Sequence, residues 1–172
     1  RPETEVSALM SLLEEFIAHE ADDLHAQGVR VRVHGDLDRL SGPAAAAVQR
    51  VVRITETGTR LGLNLFISYG GRAELVRAAR MLAEEVQAGR LTPEAITEDE
   101  FRARLFTAAC PDPDLLIRTS GEQRLSNFLL WQVAYAELYV SSVLWPDFGR
   151  GSLYEAICDF QRRDRRFGRV GT

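Results

Sequence analysis

Apolar residues recur at helical spacing from the start of the chain. Val6, Leu9, Met10, Leu12, Leu13, Phe16 and Ile17 fall three and four apart, and the pattern persists to Gly28. Arg1-Pro2-Glu3 predicts the helix start, with Pro2 near the first turn and Glu3 and Glu5 at the positive dipole end. Residues 29–34, VRVRVH, alternate with period two and stop at Gly35-Asp36, which predicts a strand. Ser41-Gly42-Pro43 opens a second helix running to about Thr57-Gly58. Residues 61–69, LGLNLFISY, predict a buried strand ending in Gly70-Gly71, and residues 72–88 a helix closing at Gly89. A shorter helix is expected over 97–107, where Thr97 and Glu100 resemble a capping box. Residues 114–117, DLLI, predict a short strand leading into Arg118-Thr119-Ser120-Gly121. Residues 128–139 are mostly apolar, and a helix over 151–166 closes the chain.

This alternation predicts an α/β fold with a largely parallel central sheet flanked by helices. Ligands in such folds gather at the carboxyl ends of strands. Both Gly-containing turns, Tyr69-Gly70-Gly71-Arg72 and Arg118-Thr119-Ser120-Gly121, fall at such ends. No internal repeat, low-complexity stretch or linker interrupts the chain, so a single domain over 1–172 is expected.

Composition narrows the class. A chain of 172 residues that is 45% hydrophobic can bury a core without disulfides or a structural metal. No run approaches the roughly 18 apolar residues of a membrane span. Cys110 and Cys158 are too few for a disulfide scaffold and fit a reducing cytosol. A net charge of -4 argues against a general nucleic-acid binder, whose affinity comes from summed positive charge. It leaves room for a small anion held by a few placed arginines, and all 21 basic residues are Arg.

The densest polar constellation is RTSGEQRLSN, Arg118 to Asn127. Gly121 allows a loop that brings the Arg118 and Arg124 guanidinium groups to one point, with Ser126 and backbone N–H groups as further donors, which suits a diphosphate. A solvated loop with surface Arg–Glu pairs fits the residue types equally. Glu137 lies in an apolar run and must be paired or exposed, either with an arginine or with a hard cation such as Mg²⁺. Pairing with an arginine is the plainer expectation. Tyr69-Gly70-Gly71-Arg72 reads as a tight turn before a helix, and Gln161 to Arg169 as a solvated, basic helix end. His19, His25 and His34 lack metal-ligand spacing and are given no ligand role.

The stretch Asp114 to Phe148, DLLIRTSGEQRLSNFLLWQVAYAELYVSSVLWPDF, closely resembles the signature block of cis-prenyltransferases, nearest to bacterial undecaprenyl diphosphate synthases. Arg1-Pro2, Glu5 to Met10, Phe66 to Arg72 and Arg166-Phe167-Gly168 fit the same family in the same order, so the resemblance covers essentially the whole chain. It implies a synthase-like α/β fold and a Mg²⁺-dependent enzyme. The implied reaction condenses isopentenyl diphosphate onto an allylic diphosphate, such as farnesyl diphosphate, to make a Z-polyprenyl diphosphate. On this resemblance Arg118, Arg124, Leu125 and Ser126 bind isopentenyl diphosphate, Glu137 helps bind the metal, and Arg1 contacts the allylic diphosphate. Arg166 and Gly168 reach across a homodimer to the partner's site. The helix beginning near Glu3 partly lines an apolar product tunnel, with Val6, Leu9, Met10 and Leu13 as lining candidates beside an ordinary core role. The implied setting is cytoplasmic, with no nucleic acid, and a very apolar product allows peripheral membrane contact.

Two departures stand out. Gln123 replaces the His that some members carry before the second arginine, and a neutral amide is a poorer metal ligand. The family's D-G-N-x-R-W loop, whose Asp positions Mg²⁺ and the allylic diphosphate, has no match here. The chain begins as if cut inside an N-W-x-R-P motif, so the expectation is the visible or excised remainder of a longer polypeptide, inactive by itself. The rival readings are a non-catalytic subunit of a heteromeric prenyltransferase and, far behind, an Arg-rich anion or RNA binder.

Overall fold

The computed structural model describes residues 3–164, with side chains from residue 5 onward except 6 and 7. The chain divides after Ala109 into two compact units, each with its own parallel strand pair.

In the first unit, helix α1 (Glu3–Ala26) leads through Gly28 into strand β1 (Val29–His34). Helix α2 (Gly42–Ile54) starts at Ser41, whose hydroxyl accepts the Ala44 N–H, and Pro43 occupies its first turn. Strand β2 (Leu61–Phe66) then pairs with β1 in parallel, Val29 opposite Leu61 and His34 opposite Phe66. The period-two pattern of β1 sends Val29 and Val31 into a core shared with Ile17 and Ala21 of α1 and Val48 and Val51 of α2. Thr55 is fully buried where α2 ends. Its hydroxyl donates to the Val51 carbonyl at 2.7 Å and accepts the Val31 N–H at 3.0 Å, tying the helix to the strand. Gly58 lets the returning chain pass against β1, because a Cβ there would stand 2.4 Å from the Val29 carbonyl.

Helix α3 (Gly71–Gln87) follows, and the short helix α4 (Glu98–Arg102) is capped by Thr97, whose hydroxyl accepts the Glu100 N–H at 3.2 Å. Two expectations shift here. The second strand stops at Phe66 rather than Tyr69, since Ser68 takes a left-handed φ of 51° and turns the chain. The helix expected over 97–107 ends at Arg102; beyond it the chain proceeds in turns that bury Leu105 and Thr107.

In the second unit, strand β3 (Leu115–Arg118) pairs in parallel with strand β4 (Glu137–Val140), Leu115 opposite Glu137 and Arg118 opposite Val140. The apolar run before β4 forms turns, and helix α5 (Arg150–Gln161) closes the described chain. An α/β architecture with parallel strands is therefore realised as expected, as one two-stranded pairing in each unit.

Candidate functional site

Arg118 is the last residue of β3, so its side chain stands at the carboxyl end of a parallel strand. The loop that follows is pinned to the segment after β4. Ser120 N–H donates to the Val143 carbonyl at 2.9 Å, Gly121 N–H to Ser141 at 2.8 Å, and Ser141 N–H back to Arg118 at 2.8 Å. The backbone is held in an uncommon state: Ser120, Ser126, Asn127 and Leu129 all have left-handed φ, between 48° and 66°. Each such residue costs on the order of 1–3 kcal/mol, and clusters of them mark loops shaped for a ligand more than for stability.

The two arginines converge as the loop chemistry allows. Arg118 Nη2 lies 3.8 Å from Glu122 Oε2, and the Arg124 guanidinium presses on the same oxygen without hydrogen-bond alignment. Arg118 Nε is buried and has no hydrogen-bond partner among the described residues. A buried, unmatched guanidinium N–H beside a second guanidinium can donate to an anion with several oxygens. Glu122, not singled out among the candidate residues, is the internal anion on which the arginines meet. Its signal lay in its position, four residues after Arg118 and two before Arg124. Ser126 and Leu125 lie exposed on the same loop, and neither is brought into the arginine–glutamate contact.

Glu137 opens β4 and is paired with an arginine, the plainer of the two expectations. Its Oε2 accepts from Arg163 Nη1 at 2.8 Å. Arg163 also donates to the Leu138 carbonyl at 3.1 Å and, through Nε and Nη2, to Asp159 Oδ2 at 2.9 and 2.5 Å. Hydrogen bonds to Glu137 and then Asp159 raise the Arg163 pKa above its ordinary value. So the basic helix end is not simply solvated at Arg163.

No group of three or more His, Cys, Asp or Glu gathers among the described residues. Glu137 nonetheless fits a hard cation as one ligand of several. Arg163 takes one carboxylate oxygen, Oε1 has no hydrogen-bond partner among the described residues, and Mg²⁺ is commonly held by one or two carboxylates plus substrate phosphates and water. Arg1, Arg166 and Gly168 lie outside the described residues.

In the first unit, a polar hub lies behind the Tyr69-Gly70-Gly71-Arg72 turn. Glu74, 1% exposed, accepts from Tyr69 Oη at 2.6 Å and the Phe106 N–H at 2.8 Å. His34 Nδ1 lies 2.8 Å from the Phe106 carbonyl oxygen and Nε2 3.0 Å from Asn64 Oδ1, so both ring nitrogens have structural partners. Arg77 covers the Phe106 ring at 4.5 Å. On α1, Leu13 packs on the core while Leu9, Leu12 and Phe16 lie exposed on one helical stripe. Of the four lining candidates, Leu13 is partly buried against the core, Leu9 is exposed, and Val6 has no described side chain.

A parallel α/β chain with two converged arginines at a strand's carboxyl end has the placement and the donors that an oxyanion site needs. The prenyltransferase family model, described as undecaprenyl diphosphate synthase, matches residues 1–168. The isoprenyl transferase of Clostridium perfringens is 50% identical over 170 residues, 99% of this chain and 67% of that protein. That of Rhizobium meliloti is 51% identical over 168 residues, 98% of this chain and 68% of that protein. Lavandulyl diphosphate synthase from Lavandula x intermedia, solved with dimethylallyl diphosphate, superposes with a TM-score of 0.94 at 37% identity, covering 98% of this chain and 73% of that one. A Campylobacter jejuni structure described as a probable undecaprenyl diphosphate synthase gives 0.85 at 34% identity, covering 98% of this chain and 77% of that one. The chain belongs to the undecaprenyl diphosphate synthase family of prenyltransferases. It spans about two thirds of the length of the curated relatives it matches.

Proposed function

We propose that the intact protein condenses isopentenyl diphosphate with an allylic diphosphate such as farnesyl diphosphate, giving a Z-polyprenyl diphosphate of the undecaprenyl type. The observation that carries this reading is the convergence of Arg118 and Arg124 at the end of β3, with a buried guanidinium N–H left unmatched. In this reading the diphosphate of isopentenyl diphosphate takes over the contacts now made to Glu122. Arg118, Arg124 and the Ser126 hydroxyl bind its oxygens, and the backbone at Leu125 shapes the loop around it. Fixing the diphosphate orients the isopentenyl double bond toward the allylic carbon, which turns an encounter of two molecules into a reaction within one site. Charge leaving with the allylic diphosphate is stabilised by positive groups that are already in place.

Mg²⁺, when bound, supplies charge stabilisation to diphosphate oxygens. Glu137 is the carboxylate proposed to help hold it. Arg1 is proposed to contact the allylic diphosphate, and Arg166 and Gly168 the partner's site in a homodimer. Tyr135, Trp145 and Tyr154 of the second unit are 83, 73 and 58% exposed, which favours an assembly that covers them. We read the chain as a single prenyltransferase domain, since one family match runs through both units. The exposed Leu9, Leu12 and Phe16 stripe of α1 is an apolar surface suited to a growing prenyl chain. Among the described residues no helix is long and apolar enough to cross a membrane. The working enzyme is proposed to be cytoplasmic, with its apolar product met by peripheral membrane contact.

The test is turnover by the intact protein with labelled isopentenyl diphosphate, farnesyl diphosphate and Mg²⁺. Extraction of labelled Z-polyprenyl diphosphate supports the reading. Isopentenyl diphosphate left unconsumed at catalytic enzyme concentration rejects it.

A further inference from the structure

The Glu137–Arg163–Asp159 cluster has an asymmetry that the pairing alone does not require. Arg163 could grip the Glu137 carboxylate with two prongs, the geometry guanidinium groups favour. Instead Nη1 alone reaches Oε2, at 2.8 Å, and the same nitrogen is shared with the Leu138 carbonyl at 3.1 Å. The other two donors, Nε and Nη2, are spent on Asp159 Oδ2. Arg163 is therefore fixed from three sides, and it fixes one oxygen of Glu137 while Oε1 has no hydrogen-bond partner among the described residues.

We propose that Arg163, itself anchored by Asp159, is a positioning residue that orients Glu137 as a divalent-cation ligand. This role rests on Glu137 being such a ligand. Arg163 acts as the outer partners of metal-bound carboxylates act, holding one oxygen so that the other needs no further ordering to bind. The planar guanidinium fork can meet Asp159 with one edge and Glu137 with the other, which a lysine ammonium does less rigidly. Arg163 also joins the end of α5 to β4, and a purely mechanical clamp is the competing explanation.

The two explanations part in cation binding measured without turnover. Mn²⁺ is titrated into the intact protein with inorganic pyrophosphate present, and free Mn²⁺ is followed by electron paramagnetic resonance, beside thermal melts of the metal-free protein. Arg163→Met is expected to raise the Mn²⁺ dissociation constant by about tenfold or more, within the roughly 10–100-fold span for loss of such outer partners. Arg163→Lys should restore most of the affinity. Should Arg163→Met fail to fold, Asp159→Asn decides the matter, since it leaves Arg163 in place and removes its anchor; a smaller loss in the same direction is expected. Glu137→Gln separates the ligand role from the positioning role. If it weakens Mn²⁺ binding while Arg163→Met and Asp159→Asn leave it unchanged or tighter, the positioning role is overturned alone. If Glu137→Gln itself changes nothing, the ligand assignment falls and the positioning role with it.

Discussion

Replacing Arg118 by Ala isolates the anion-binding role of the β3 loop with little disturbance of the fold. The backbone of Arg118 carries the structural work: its carbonyl accepts the Ser141 N–H at 2.8 Å and its Cα pairs with Val140. The side chain makes one loose contact, 3.8 Å to Glu122, and buries an Nε without a hydrogen-bond partner among the described residues. Truncation therefore removes a polar group that the free protein does not satisfy, and stability should stay within about 0.5 kcal/mol of wild type. With isopentenyl diphosphate bound, the same side chain supplies a charge-assisted hydrogen bond worth about 1.5–3 kcal/mol. At about 1.4 kcal/mol per factor of ten, KM for isopentenyl diphosphate should rise roughly 10- to 100-fold. Arg124 is 69% exposed in its side chain, so solvent screens it, and Arg124→Ala should cost at most about 1 kcal/mol, roughly fivefold. The assay is steady-state turnover with isopentenyl diphosphate varied at saturating allylic diphosphate, paired with thermal melts. A KM unchanged in Arg118→Ala, or a larger effect from Arg124→Ala, would refute the burial-based ranking.

Three further outcomes concern the first unit. Glu74→Ala removes the acceptor used by the part-buried Tyr69 hydroxyl and Phe106 N–H, and at about 1–3 kcal/mol for each bond should cost roughly 2–6 kcal/mol in urea melts; a loss below about 1 kcal/mol contradicts the hub. Gly35→Ala puts a Cβ 1.9 Å from the Ile67 carbonyl oxygen at a φ of +135°, so it should destabilise by several kcal/mol, on the order of strain and clash combined, and near-wild-type melting would show the turn to be adaptable. Glu85 is held below its ordinary carboxylate range, chiefly by hydrogen bonds from Arg90. Its folded pKa lies below the unfolded one, so its contribution is present at neutral pH and is lost as pH falls through the folded value. Glu85→Gln should flatten that acid-side loss below about pH 4.5, and an unchanged acid slope in the melts argues against the pair mattering.

What the sequence made legible was local. VRVRVH shows a strand because its alternation matches the pleat, and Ser41-Gly42-Pro43 shows a helix start because cap and N-terminal proline are short-range devices. The end of β2 is not legible because LFISY stays apolar past the point where Ser68 turns left-handed, a choice made by tertiary surroundings. That Glu137 is paired can be read from its apolar neighbours, whereas its partner cannot, since Arg163 lies 26 residues away. In sequence Glu74 is only a first-turn acid complementing a helix dipole; packing alone shows it 1% exposed and bonded across 32 residues. The convergence of the two arginines is the readable part of the candidate site, because Arg118, Arg124 and Glu122 lie within seven residues of one another.

The most direct measurement is a crystal structure of the intact protein with isopentenyl diphosphate bound. Diphosphate oxygens are expected about 2.7–2.9 Å from the guanidinium nitrogens of Arg118 and Arg124, with the Ser126 hydroxyl turned to the same group and Glu122 displaced from between them. A diphosphate bound elsewhere, with Glu122 still bridging the two arginines, would contradict the clamp.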